Sequence, residues 1–378
     1  MSTISEIFNA YININILLIL VFGFWYIARM LLKPMGMAHA YTTQLRLLNG
    51  VFLAVVISPV FILFFSLLSK YSVVSPEFTL NLSDIIVAQY LNGNFNMKPD
   101  TLEEYLSLRS QLSANFLGMG SYLGIFILGL IISGAVLVLA RFALSVYALK
   151  RIINQSQVWR KTGNLHLLIS DTISVPFSTR TFRERFIIIP SNMLTNIKDL
   201  RMVVSHEFQH MRQLDLEWEI FMELLRPVFF WNPIYYLWKR QLEQLRELSC
   251  DKRVLARKRY DTKEYCACLL QVCQNSLSKS HLLFTAIPKV ALIKTDRALF
   301  SRNSASLLRQ RVNSLLDGNI KPYPKLVFLG IIIPLLAIVV VSTLAIQQPD
   351  DWSQDRIMLS TIINLDRLAE HNSMETNF

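Results

Sequence analysis

The sequence predicts a multi-pass α-helical membrane protein, with four transmembrane helices and a mainly helical α+β domain inserted before the last of them. Three observations predict it. Of the 378 residues, 52% are hydrophobic and 17% charged, less charge than a water-soluble domain carries. Four stretches, 8–28, 47–69, 117–140 and 326–346, contain no charged residue, and about 20 apolar residues are enough to cross a bilayer. The chain between the third and fourth stretches differs in kind, with 29 Lys and Arg against 15 Asp and Glu over residues 147–325.

The first span lacks a basic start and a small-residue cleavage site and ends in Arg29 and Lys33, so it reads as an uncleaved helix. Pro59 and Pro334 lie inside the second and fourth spans, where proline is better tolerated than in soluble helices. Small residues in the third (Gly118, Gly120, Gly124, Gly129, Gly134) permit close helix packing, within one chain or in a homodimer. Charge then orients the spans. The loop 29–46 carries Arg29, Lys33 and Arg46 and no acid, whereas loop 70–116 has three basic residues against Glu77, Asp84, Asp100, Glu103 and Glu104. The tail 347–378 has Arg356 and Arg367 against six acids. Excess Lys and Arg marks the cytoplasmic side. The expectation is a membrane region 1–146 with its amino terminus and loop 70–116 outside, a cytoplasmic domain 147–325, a fourth span 326–346 and a short outward tail. The membrane is expected to be the inner membrane of a bacterial-type cell.

The basic domain fits an anionic lipid surface, where each cation contributes about 1 kcal/mol. No nucleic-acid module is visible, so direct nucleic-acid binding is not expected. The basic cluster 252–263 reads as one solvated helix face. Cys250, Cys266, Cys268 and Cys273 all fall in this segment, without zinc-ribbon spacing, and read as buried helix positions.

Within the domain, 165–170 reads as a short strand. Phe186, Ile187, Ile188 and Ile189 form an apolar run stopped by Pro190, the signature of a strand near an edge. Such a strand could accept an extended peptide, which makes these four residues a candidate substrate-binding edge. A helix follows, capped near Thr195 or Asn196, with Leu200, Val203 and Val204 toward the core. It carries His206, Glu207 and His210. Positions i and i+4 share a helix face, so both imidazoles can reach one zinc ion while Glu207 stands beside it as general base. Residues 220–238 are apolar and aromatic but hold Glu223, Arg226, Pro227 and Pro233. They predict a hairpin resting in the membrane interface on Trp231, Tyr235, Tyr236 and Trp238, or else packed inside the domain.

A catalytic zinc takes three protein ligands and keeps one position open. Glu243, Glu247 and Asp251 recur every fourth residue. Glu247 is the expected third ligand and Glu243 the fallback. Asp251, one turn on, can fix the tautomer of a ligand histidine from its far side.

The His206-Glu207-x-x-His210 motif, the Phe230-Trp231-Asn232-Pro233 block and the run Arg246-Glu247-Leu248-Ser249-Cys250-Asp251, in this order among the spans, resemble the BlaR/MecR-type integral-membrane zinc metallopeptidases. The resemblance covers residues 1–346. It implies a gluzincin-like α+β domain on four transmembrane helices, with one zinc on His206, His210 and Glu247, Glu207 as base and Asp251 behind the ligands. It also implies proteolysis of a cytoplasmic protein in signal transduction, such as a winged-helix repressor, or of the chain itself. The basic stretch 297–311, exposed-looking before the fourth span, is a candidate for self-cleavage. The penicillin-binding sensor domain of the antibiotic receptors has no counterpart in the 32 residues after the fourth span, so β-lactam sensing is not carried over. Two other readings compete: a membrane quality-control zinc protease, whose two motifs are generally separated by two spans, and a non-catalytic zinc-binding signalling protein.

Overall fold

The computed structural model describes residues 2–32, 34, 39–70, 82–94, 97–99, 101–107, 111, 122–278, 290–291, 301–316 and 325–346, with 358, 361–362 and 364–365 in the tail. In chain order its elements are α1 (Ser2–Leu32), α2 (Tyr41–Lys70), α3 (Leu82–Leu91), α4 (Tyr122–Gln155), β1 (Gln157–Thr162), β2 (Leu165–Ser170), β3 (Phe177–Arg180), β4 (Arg185–Pro190), α5 (Ile197–Arg212), α6 (Asp215–Phe229), α7 (Pro233–Leu255), α8 (Thr262–Ser278), β5 (Val290–Ala291), α9 (Ser301–Leu316) and α10 (Lys325–Ala345). They divide between two compact units.

Residues 1–28, 49–130 and 325–378 form the first unit. Long apolar helices dominate it; among the described residues of the chain α1, α2, α4 and α10 are each long and apolar enough to cross a membrane, α4 running on from residue 131 as part of the second unit. Many of their large apolar side chains point outward, as Ile125, Phe126 and Leu130 do on α4; surfaces of that kind are matched by lipid rather than water. Where α2 meets α10 the packing is close, since a Cβ on Gly50 would come 3.1 Å from Ile332 Cδ1. Residues 117–121 and most of the tail lie outside the described residues.

Residues 29–48 and 131–324 form the second unit, built on a five-stranded sheet of order β1-β2-β4-β3-β5. Gly163, at φ +57, closes the β1–β2 hairpin in a conformation that suits glycine. The β2 and β4 strands run parallel; β3 is antiparallel to both β4 and β5. Ile187 and Ile189 enter a core with Leu200, Val203, Val254 and Leu269 of the helices. Phe186 and Ile188 enter a second core with Leu149 and Ile152 at the end of α4.

That two-sided burial corrects the expectation for Phe186, Ile187, Ile188 and Ile189. They lie in the middle of the sheet, paired with β2 on one flank and β3 on the other, so no backbone edge remains for a substrate. A continuous apolar run, rather than an alternating one, is what a strand covered on both faces requires. The basic cluster 252–263 is also not one helix face, because α7 ends at Leu255 and α8 begins at Thr262. The 220–238 segment does form a hairpin, from the arms α6 and α7. Tyr235 and Trp238 are buried inside it, while Trp231 and Tyr236 are exposed.

Candidate metal centre

Helix α5 starts at its cap: the Asn196 side chain accepts from the amides of Lys198 and Asp199 and donates to Asp199 at 2.7 Å. Leu200, Val203 and Met211 hold one face in the core, and this leaves His206 and His210 buried, one turn apart, on an adjoining face. Their rings meet edge-on, with Nε2 of one 3.0 Å from Nε2 of the other. Across from them, Glu247 of α7 sets Oε2 3.6 Å from His206 Nε2 and Oε1 3.7 Å from His210 Nε2. Glu243 is turned elsewhere, toward Lys239 at 4.0 Å.

The far side of each ring decides what the near side can do. Asp215, the first residue of α6, sits 2.8 Å from His210 Nδ1. A carboxylate only accepts, so that nitrogen carries its proton. Tyr265 of α8 donates to Asp251 Oδ1 at 2.8 Å, and its oxygen lies 2.8 Å from His206 Nδ1. With its own proton given to Asp251, the phenol oxygen accepts from His206 Nδ1. Asp251 itself is 3.3 Å from that nitrogen. In the neutral rings that ligate a metal, both Nε2 atoms turn lone pairs toward each other; without an ion, burial is outweighed by Cys250 and the neighbouring acids, which raise both imidazoles well above their usual range. Two lone pairs this close repel unless a cation lies between them. Two nitrogens tetrahedrally bound to one zinc would be about 3.3 Å apart, close to what is seen.

Arg311 of α9 closes the group from behind. It is buried, donates through Nε and Nη2 to the two oxygens of Asp251 at 2.7 Å each, and places Nη1 2.9 Å from Glu247 Oε2. Burial alone would raise both carboxyls; Arg311, followed by the histidines, outweighs it and holds Glu247 and Asp251 below the usual carboxylate range. Glu207 behaves oppositely. Burial pushes its carboxyl above the usual range, and His210, His206 and the Ser178 hydroxyl offset that only in part. The Ser178 hydroxyl on β3 is near enough to favour the ionised carboxyl, but neither it nor either Glu207 oxygen makes a well-formed hydrogen bond among the described residues. Buried acceptors of that kind are costly unless something else completes them.

The residues present thus suit a divalent cation. His206, His210 and Glu247 converge on one point. Cys250 offers a second three-donor set with the two histidines, all within 4.8 Å. Its sulfur, however, stands 3.5 Å from His206 Nδ1, the nitrogen already facing Tyr265 and Asp251.

Asp215, Tyr265 and Arg311 were not visible as site residues in the sequence. Asp215 follows His210 by five positions, beyond helical reach, and arrives only because Leu214 takes a left-handed conformation (φ 61) between the two helices. That conformation costs a non-glycine residue about 1–2 kcal/mol. Arg311 corrects the reading of 297–311 as an exposed cleavage stretch, because residues 301–311 are helical and Arg311 is inside the domain. Residues 292–300 lie outside the described residues.

A family model described as BlaR1 peptidase M56 matches residues 6–293 of the 378. No curated protein matches the chain.

Proposed function

Because the chain belongs to the BlaR1 peptidase M56 family, we propose that it is a zinc metalloendopeptidase cleaving cytoplasmic protein at the inner face of a bacterial-type cell membrane. Family membership makes it a membrane-associated metallopeptidase; the identity of the metal, the topology and the substrate are the proposed part. One observation carries the reading: two histidines with their Nδ1 protons committed elsewhere bring their Nε2 atoms to 3.0 Å opposite the Glu247 carboxylate.

His206, His210 and Glu247 would hold the ion. Bound there, zinc would lower the pKa of its water toward ~7 and polarise the scissile carbonyl. Glu207, buried beside the ligands and short of partners, takes the proton of the attacking water and returns it to the departing amine. Its raised pKa suits a group that must both accept and release a proton. Asp215 and Tyr265 keep the imidazoles in the tautomer that ligates, with Asp251 and Arg311 supporting Tyr265 and Glu247 in turn.

The substrate is a cytoplasmic repressor or the chain itself. The second is favoured by β5, which already pairs antiparallel with β3 at Ser178, the strand whose hydroxyl adjoins Glu207. Extended peptides are recognised by this kind of strand addition.

The test is zinc content together with proteolysis in wild type and Glu207→Gln. The variant should keep its zinc and lose cleavage by about 10²–10⁴-fold. Undiminished cleavage would remove Glu207 from the chemistry, and a wild-type protein free of zinc after mild purification would remove the metal.

A further inference from the structure

We propose that the tip of the α6–α7 hairpin is inserted into the hydrocarbon of the membrane beside α4, where its exposed side chains contact lipid acyl chains. The hairpin would then be an embedded element additional to the four spans. This inference does not depend on the proposed peptidase activity. It rests on α4 crossing the bilayer.

Three observations point the same way. The first is composition by exposure. Between residues 224 and 238 the exposed residues are Leu224, Val228, Trp231, Pro233, Tyr236 and Leu237, and none carries a charge. A hairpin tip in water would show the opposite preference. Exposed apolar surface gathered in one place marks a binding face.

The second is position. Phe230, at the turn, packs on Gly134 of α4 so closely that a Cβ on the glycine would overlap the phenyl ring. Gly134 lies within the uncharged run of α4, seven residues before Arg141, the first charged residue that follows. At 1.5 Å per residue that is about 10 Å inside the charge boundary. A helix resting at the interface would meet α4 near Arg141. The part of α4 that spans is itself outward-facing and apolar, so the hairpin's exposed face continues a lipid-facing surface.

The third is where the charges went. Of the charged residues on the hairpin arms, Glu219, Glu223, Arg226, Lys239 and Arg246 each turn inward to a partner on the hairpin. Lys239 pairs with Glu219 at 3.1 Å and with Glu223, Arg246 with Glu219 at 2.5 Å, and Arg226 with Glu223 at 3.3 Å while lying over the Tyr236 ring. Ionisable groups at membrane depth are arranged in this way, paired and facing protein. The far ends of the same arms hold Asp215 and Glu247, so a tip fixed in lipid would fix the metal centre's distance from the bilayer.

The experiment uses the full chain in lipid nanodiscs with the photoreactive residue benzoylphenylalanine at Trp231, and separately at Leu137, which is 69% exposed on α4. Irradiation followed by mass spectrometry should give acyl-chain adducts at both positions. Bromines placed along the acyl chains should quench a component of tryptophan fluorescence that disappears in Trp231→Phe. Lipid adducts at Leu137 with none at Trp231, or a chain-to-chain cross-link at Trp231, would overturn the proposal and make the face aqueous or a contact between copies. Absence of lipid adducts at Leu137 as well would overturn it by removing the span it leans on.

Discussion

Two buried clusters of charge lie in the same unit and share helices α6 and α7, yet they are balanced differently. Between the hairpin arms, Glu219, Glu223 and Glu243 face Arg226, Lys239 and Arg246. Around the histidines lie Glu207, Asp215, Glu247 and Asp251, of which Arg311 pairs with Glu247 and Asp251 while Arg246 and Arg253 attract Asp215 from farther off. Burying an ion without its counter-charge costs several kcal/mol. The first cluster is complete as it stands. In the second, carboxyls outnumber the ion-paired arginine, two ring nitrogens stand opposed and the Glu207 carboxyl is without a partner among the described residues, a set that suits a divalent ion. Balance suits a cluster that supports structure, and imbalance suits one that does chemistry.

Substitutions can break or sharpen that contrast. The largest effect is expected at Glu247→Ala, which should take bound zinc from near-stoichiometric to trace amounts by elemental analysis. Glu243→Ala and Cys250→Ser should leave it bound; loss of zinc from Cys250→Ser instead would hand the third position to the thiol. Next come Lys239→Met and Arg311→Met, each removing one side of a buried pair and each costing about 3–5 kcal/mol in denaturant unfolding of the chelated protein. Added zinc should restore much of the loss in Arg311→Met and little in Lys239→Met, because only the charge left behind at the histidines can be neutralised by a metal. Equal rescue would erase the distinction. The smallest effect is expected at Asp215→Asn, a change behind a ligand, which should weaken zinc affinity about 10–100-fold in a chelator competition while leaving the fold intact.

What could be read in advance was whatever depends on neighbours in sequence. The cap at Asn196, the shared face of His206 and His210, and the fourfold spacing that brings Glu247 and Asp251 onto one side of α7 are all properties of single helices. The glycines of α4 signalled a close approach, and Gly134 makes one, although with Phe230 rather than with another span. What escaped depends on distant packing. Tyr265 and Arg311 approach from α8 and α9, and nothing near them in sequence distinguishes them from other polar positions on an amphipathic helix. Asp215 was hidden by a helix break that rests on one leucine in an unusual backbone conformation. The run 186–189 was identified as a strand, but neighbours on either side are a property of sheet order, and its uninterrupted apolarity was the missed clue.

The two-residue strand at Val290–Ala291 has a kinetic consequence for anything that would use the same edge of β3. It belongs to the connection between α8 and α9, so it competes as a tethered ligand at an effective concentration on the order of millimolar. A free peptide then binds with a dissociation constant raised by the ratio of that concentration to the strand's own dissociation constant. Short reporter peptides would then understate turnover. Severing the connection on either side of that strand would raise their apparent affinity without altering a single residue at the metal.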